Sequence, residues 1–340
     1  MRCKSCGKVF QAKAPWEGLS LHFTAAFESM SLLLMREMPV KKAAEFIQET
    51  DTRLWRILAR HVAVAYKQLD FSEATCIGVD ELACRKGHNY VTIFADLVAK
   101  RVLYSVPGKD SATWKAFVKE LGKHSANAGQ IECVSMDMSV AFKKGVSETC
   151  PQAEVVFDKY HLIAKTNKAV GDIRRAEIRR GGRYNDLKLT RWIWLKNPEN
   201  LTEKQTDRLK RIDQENLITA QAYQMRLCLQ DIYQSPSVER AESRLLAWCR
   251  WVRQKAKQGR YDLLSIMVKV AKCIEKHLAG ILKHWEHRIT NAYMEGINNM
   301  FQMVKRRARG YRNDENFIMM IYFVGSKLKL PAMDEPIHSK

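Results

Sequence analysis

Three short stretches of this chain each deliver a carboxylate from a regular element. Ile77-Gly78-Val79-Asp80-Glu81 is an apolar run that leads into acid, and Ile131-Glu132-Cys133-Val134-Ser135-Met136-Asp137 repeats the pattern. Tyr293-Met294-Glu295-Gly296-Ile297-Asn298-Asn299 has helical spacing instead. The expectation is that Asp80 and Asp137 close two strands and that Glu295 stands on a flanking helix. Such anchors suit phosphodiester cleavage and transfer, in which two divalent ions roughly 4 Å apart stabilise the attacking and leaving oxygens. Mg²⁺ (or Mn²⁺) takes carboxylate oxygens and keeps open positions for water and substrate oxygens. Taken singly, each residue also fits a solvated surface acid. The joint pattern in a basic chain is what points to metal-assisted DNA chemistry.

The 340 residues include 57 Lys+Arg against 37 Asp+Glu, a formal net charge of +20, which suits a polyanionic partner. A hydrophobic content of 46% supports a packed core and excludes global disorder. No apolar run is long enough to span a bilayer, and no signal-peptide core precedes the first helix. The nine cysteines are odd in number and scattered, as reduced thiols are. A cytoplasmic, nucleoid-associated protein is expected, with no membrane partner.

The elements that must position the three acids follow in chain order. Cys3-Lys4-Ser5-Cys6-Gly7 has zinc-knuckle spacing. Zn²⁺ needs four ligands, and only His22 follows nearby, so residues 1–23 read as a partial zinc-ribbon remnant. Residues 24–72 read as a helix-turn-helix region. A short helix over residues 41–47 and the turn Glu49-Thr50-Asp51-Thr52 lead into a second helix. That helix has Leu54, Ile57, Leu58, His61, Val62 and Ala65 on its inner side, and Arg53, Arg56 and Arg60 are its candidates to face double-stranded DNA. Strand periodicity then takes over at 75–80, 90–97 and 101–106, with turns at Gly87-His88-Asn89 and at 98–100. A helix at 111–121, a strand at 131–136, a helix at 141–149 and a strand at 153–157 complete the order β-β-β-α-β-α-β. That order predicts an α/β fold: a ribonuclease H-like core with a mixed five-stranded sheet, in segments 73–164 and 286–328.

Between them, 165–285 reads as an all-α insertion, with Leu227, Ile232, Leu245, Trp248, Val252, Leu264 and Val268 as its core. Arg174, Arg175 and Arg179 fall on a basic helix and would hold phosphates, which positions DNA without reading its sequence. Trp192 or Trp194 fits either a stack on a displaced base or the core of the insertion. The last core helix is expected to pack with Tyr293, Ile297, Met300, Phe301 and Val304 and to expose Glu295, Asn299, Gln302 and Arg306. Lys305, Arg306, Arg307, Arg309 and Arg312 follow as a basic run around Tyr311 and are read as DNA contacts. Residues 317–324 form a final helix, and 329–340 a tail.

Several of these stretches together resemble a known family. They are Gly78-Val79-Asp80-Glu81 with Arg85-Lys86-Gly87-His88, Ser135-Met136-Asp137-Met138-Ser139, Asp158-Lys159-Tyr160-His161, and the long run from Thr290 through Glu295 to Asn313. The chain is similar over nearly its whole length to the DDE transposases of bacterial insertion sequences, in particular the ISL3 family. The resemblance implies Asp80, Asp137 and Glu295 as the metal-binding triad, with Asp158 and His161 as a supporting pair. It also implies cleavage and rejoining at terminal inverted repeats, without a covalent enzyme–DNA intermediate. Family members usually carry a fuller cysteine-rich finger; here Cys3 and Cys6 alone stand for it, which points to a shortened start. Two rivals share parts of this reading: a ribonuclease H-fold nuclease such as a junction resolvase, and an inactive DNA-binding protein derived from a transposase. Bringing two DNA ends together further implies a homo-oligomer in the synaptic complex.

Overall fold

A computed structural model describes residues 2, 4–9, 16–19, 22–84, 89–212, 217–287 and 292–330. It divides into two compact units. One comprises Met1–Val134, Val140–Ala153 and Ala292–Lys340, the other Ser135–Ser139 and Glu154–Asn291.

The first unit opens with three helices, α1 (Ala25–Glu37), α2 (Val40–Phe46) and α3 (Asp51–Lys67). Thr24 and Thr50 accept backbone N–H bonds at the starts of α1 and α3, which satisfies donors the helix itself cannot. Pro39 ends the first run and begins α2. Leu54, Ile57, Leu58, His61, Val62 and Ala65, the inner side of α3 expected from the sequence, are all buried.

The strands are β1 (Cys76–Ala83), β2 (Tyr90–Asp96), β3 (Arg101–Pro107), β4 (Cys133–Met136) and β5 (Glu154–Phe157). They form one mixed sheet in the order β3-β2-β1-β4-β5, with β1, β2 and β3 antiparallel. The helices α4 (Ser111–Leu121) and α5 (Val140–Thr149) follow β3 and β4. This is a ribonuclease H-like α/β arrangement. The turn expected at Gly87-His88 lies outside the described residues.

Strand alternation assigns the faces of β2. Val91, Ile93 and Ala95 cluster with Met294, Ile297 and Phe301 of α12 (Ala292–Arg307) and Phe317 and Ile321 of α13 (Asp314–Gly325). Phe94 turns the other way, stacked on Phe117 of α4 at 4.3 Å between ring centroids. The helices α1 to α3 share a second cluster with Val304, Met320 and Phe323.

In the second unit every regular element after β5 is helical among the described residues: α6 (Lys159–Ile178), α7 (Glu203–Arg211), α8 (Ile218–Ile232), α9 (Val238–Ala256), α10 (Ser265–Lys276) and α11 (Leu278–His287), with short 3-10 turns between. The basic segment expected as its own helix is the last third of the 20-residue α6. Ile232, Leu245, Trp248, Val252 and Leu264 are buried. Leu227 and Val268 are only partly so, and their neighbours Leu229, Met267 and Val270 are buried instead. Glu177 of α6 is fully buried and accepts from the backbone N–H groups of Ile218 and Thr219 at 2.9 and 2.8 Å and from the Thr219 hydroxyl at 2.7 Å. It caps α8 from 41 residues away in sequence. Among the described residues no helix is long and apolar enough to cross a membrane.

Candidate active site and DNA-binding surfaces

β1 does not stop at Asp80, as the sequence suggested, but runs on to Ala83. The reason is its partner: Asp80, Glu81, Leu82 and Ala83 pair with Ile93, Thr92, Val91 and Tyr90 of β2, so the ladder holds polar residues in mid-strand. Residues directly opposite in an antiparallel pair share a face. Gly78, Asp80 and Leu82 therefore face α12 together with Ala95, Ile93 and Val91.

Helix α12 lies close against that face. A Cβ added at Gly78 would sit 2.8 Å from Met294 Cγ, so only glycine admits the helix there. The Asn298 side-chain amide donates to Asp80 Oδ2 at 2.5 Å, and Asp80 Oδ1 accepts from the Glu81 backbone N–H at 2.7 Å. The Lys305 ammonium donates to the Ala83 carbonyl at 2.6 Å. At 100° per residue, Met294, Ile297, Asn298, Phe301 and Lys305 form one stripe. The inner face is thus turned about one residue from the expected one, which omitted Met294 and left Asn298 unassigned. Glu295 is exposed at the edge of the stripe, on the same side as Asn298.

Asp137 belongs to the second unit, immediately after β4, with Oδ1 accepting from the Ser139 N–H at 2.9 Å. Asp158 is buried and caps α6 through the Tyr160 N–H at 2.9 Å; His161 Nε2 stands 3.6 Å from its Oδ2. Among the described residues no group of three His, Cys, Asp or Glu side chains gathers as a metal cluster. Cys3 lies outside the described residues, and Cys6 is exposed on a turn.

A family model described as a transposase, of the DDE type of the ISL3 family, matches residues 77–321, well over half of the chain. The chain belongs to the ISL3 family of DDE transposases. The helix-turn-helix domain of the same family matches residues 22–62, which hold α1, α2 and most of α3. The chain is 28% identical to the transposase for insertion sequence element IS1001 of Bordetella parapertussis, over 94% of this chain and 78% of that protein. It is 26% identical to the transposase for IS1557 of Mycobacterium tuberculosis, over 98% and 79%. It is accordingly a transposase of insertion sequences with a helix-turn-helix DNA-binding domain.

The cations of this transposase divide by what holds them. Arg56 is exposed on α3; Arg53, also exposed, pairs with Glu49 at 2.8 Å and Arg60 donates to the Leu19 carbonyl at 3.3 Å. Hydrogen bonding from Arg53 holds the Glu49 carboxyl below its ordinary range. Arg306 is exposed, and Arg309 and Arg312 line a hollow of about 500 Å³ with Cys84, Lys305 and Tyr311. Three of the cations expected to contact DNA donate to backbone carbonyls. Arg174 is turned inward, 9% exposed, and donates to the Leu187 carbonyl at 2.9 Å. Lys305 is held by β1, and the Arg307 guanidinium donates to the Arg36 and Glu37 carbonyls at the C-terminal end of α1. Of the three, Arg174 alone is buried, and Arg307 remains exposed. On α6, Arg175 pairs with Asp172, and Arg179, which caps the C-terminal end of the helix, is exposed. Of the two tryptophans, Trp194 is fully buried and Trp192 is 58% exposed beneath Arg191.

Proposed function

We propose that this transposase cuts and joins DNA by metal-dependent chemistry at Asp80, Asp137 and Glu295. The observation that carries this reading is the bond between Asp80 and the helix that bears Glu295, within the span matched to the transposase family. Asp137 follows β4, the neighbour of β1 in the sheet order. Asp80, Asp137 and Glu295 offer hard carboxylate oxygen donors, and the Asn298 amide holds one oxygen of Asp80. That donor set fits Mg²⁺ or Mn²⁺, which take one or two carboxylates and keep waters for substrate oxygens. When bound, the metal would supply charge stabilisation to the attacking and leaving oxygens.

In the first step a water oxygen attacks the phosphorus at the element's end and the 3′ oxygen leaves as a hydroxyl. In the second, that 3′-hydroxyl attacks a target phosphodiester and displaces the target's own 3′ oxygen, so the number of phosphodiesters is conserved. Helix α3 would enter the major groove of the terminal inverted repeats, with Arg56 and Arg60 toward the backbone. Arg179, Arg306, Arg309 and Arg312 would hold phosphates. Joining two ends at one target calls for at least two copies of the chain.

The test is a cleavage and joining assay on DNA carrying the element's ends, with Mg²⁺ or Mn²⁺. Wild-type protein is expected to nick at the ends and join them to a target, while Asp137→Asn binds the same DNA and does neither. Equal cutting by the variant, or cutting in the presence of a chelator, would refute the assignment.

A further inference from the structure

We infer that Asn298 is a positioning residue that fixes the Asp80 carboxylate in its working orientation; this rests on Asp80 being catalytic. Three contacts bind α12 along β1: Met294 over Gly78, Asn298 to Asp80, and Lys305 to Ala83. Their spacing follows from element geometry. The step from 294 to 305 rises about 16 Å in a helix at ~1.5 Å per residue, and the step from 78 to 83 spans about 16 Å in a strand at ~3.3 Å per residue. The inner step agrees as well: four helical residues rise about 6 Å and two strand residues about 6.6 Å. Helix and strand thus run side by side in matched register, and Asn298 meets Asp80 because of that register.

The chemistry of the amide sets its orientation. An ionised carboxylate only accepts, so the NH₂ of Asn298 must face it. The carbonyl oxygen is then directed to a buried position where it has no partner. A residue kept for packing alone has a better choice there, since the stripe around it is apolar: Met294, Ile297 and Phe301 are all buried. An amide that leaves one buried acceptor unmatched is retained for its bond to Asp80. Lys305, the other polar member of the stripe, binds backbone and holds the register.

Mn²⁺ binding to the DNA-free protein, followed by the electron paramagnetic resonance of the ion, gives a readout independent of turnover. Cleavage of an end-bearing duplex is measured in parallel, with DNA-end affinity and Tm. For Asn298→Ala the expected result is roughly tenfold weaker Mn²⁺ binding and a tenfold to hundredfold slower cut, the usual cost of removing an outer partner of a metal ligand. End affinity should be unchanged. The exchange variant Asp80→Asn with Asn298→Asp restores a hydrogen bond across the same gap. It should recover the Tm of the wild type without recovering cleavage, which separates positioning from packing. If Asn298→Ala leaves Mn²⁺ binding and cleavage intact while Asp80→Asn abolishes both, Asn298 has no positioning role and Asp80 stands as the catalytic carboxylate. If Asp80→Asn changes neither, the carboxylate assignment itself has failed.

Discussion

Glu177 and Asp80 are both carboxylates on regular elements, and the protein treats them in opposite ways. Glu177 is fully buried, and three donors from the start of α8 converge on it. Asp80 is only partly buried, and the amide that holds it leaves an acceptor of its own unmatched. Arg226 and Arg56 repeat the contrast among cations. Arg226 is buried and its guanidinium reaches the Asn167 and Asn197 side chains and the Lys196 carbonyl, whereas Arg56 lies exposed on α3. Glu177 and Arg226 are thus enclosed by matched partners and serve stability. Asp80 and Arg56 are left more open, as the proposed role of β1 and α3 in handling DNA would need.

The largest effect expected from breaking this contrast is at Glu177. Glu177→Ala strips the partner from three buried donors and should destabilise the helical unit by about 3 kcal/mol. Urea unfolding monitored by tryptophan fluorescence would measure this, and cutting per folded molecule should not change. A destabilisation comparable to a surface substitution would remove Glu177 from the structural class. Gly78→Ala comes next. The new Cβ meets Leu97 Cδ2 at 2.6 Å and Met294 at 2.8 Å, so α12 must shift, at about 1–3 kcal/mol. Here stability and cleavage should fall together, and a variant that loses stability yet cuts normally would uncouple the register of α12 from the site.

A smaller effect is alkaline. Burial pushes the Cys249 thiol from 9.0 up to about 12, and burial pushes the Tyr293 hydroxyl from 10.0 up to about 12. Both groups hold their proton longer in the folded chain than in the unfolded one. Their contribution is complete below the unfolded value and is lost as pH rises toward the folded one. The Tm should therefore decline from about pH 9 for the Cys249 contribution and from about pH 10 for that of Tyr293. Cys249→Ala should flatten the first part of the decline and Tyr293→Phe the second, in a pH series of thermal melts. Smallest is Arg56→Ala, expected to lower end affinity modestly and to reduce the slope of log K against log salt by about one. An unchanged slope would mean that Arg56 touches no phosphate.

Local periodicity made much of this legible from sequence. All six inner residues of α3 follow from one helical repeat, and α4 has the bounds that its apolar spacing and Gly122 suggest. What the sequence hid depends on partners far along the chain. Asp80 and Glu81 look like the end of a strand because they are charged, yet β2 supplies a ladder for them. Arg174 looks like part of a basic surface, but a turn 13 residues away offers it a carbonyl. The inner stripe of α12 was missed by about one residue because Tyr293 and Met300 are apolar without being fully buried, while Asn298 and Lys305 are polar and face the sheet. Two polar residues at helical spacing within an apolar stripe were the available signal. The carboxylates themselves were visible as residue types at the edges of strand and helix patterns.

The bond between Asp80 and Asn298 joins residues 218 positions apart. During synthesis at roughly 5–20 residues per second, β1 therefore precedes its holding helix by on the order of 10 to 40 s. Throughout that interval the nascent chain carries Asp80 without its Asn298 partner. On the proposed assignment, chains released before α12 would carry Asp80 without the amide that binds it, and would stay bound to DNA at most rather than cut it.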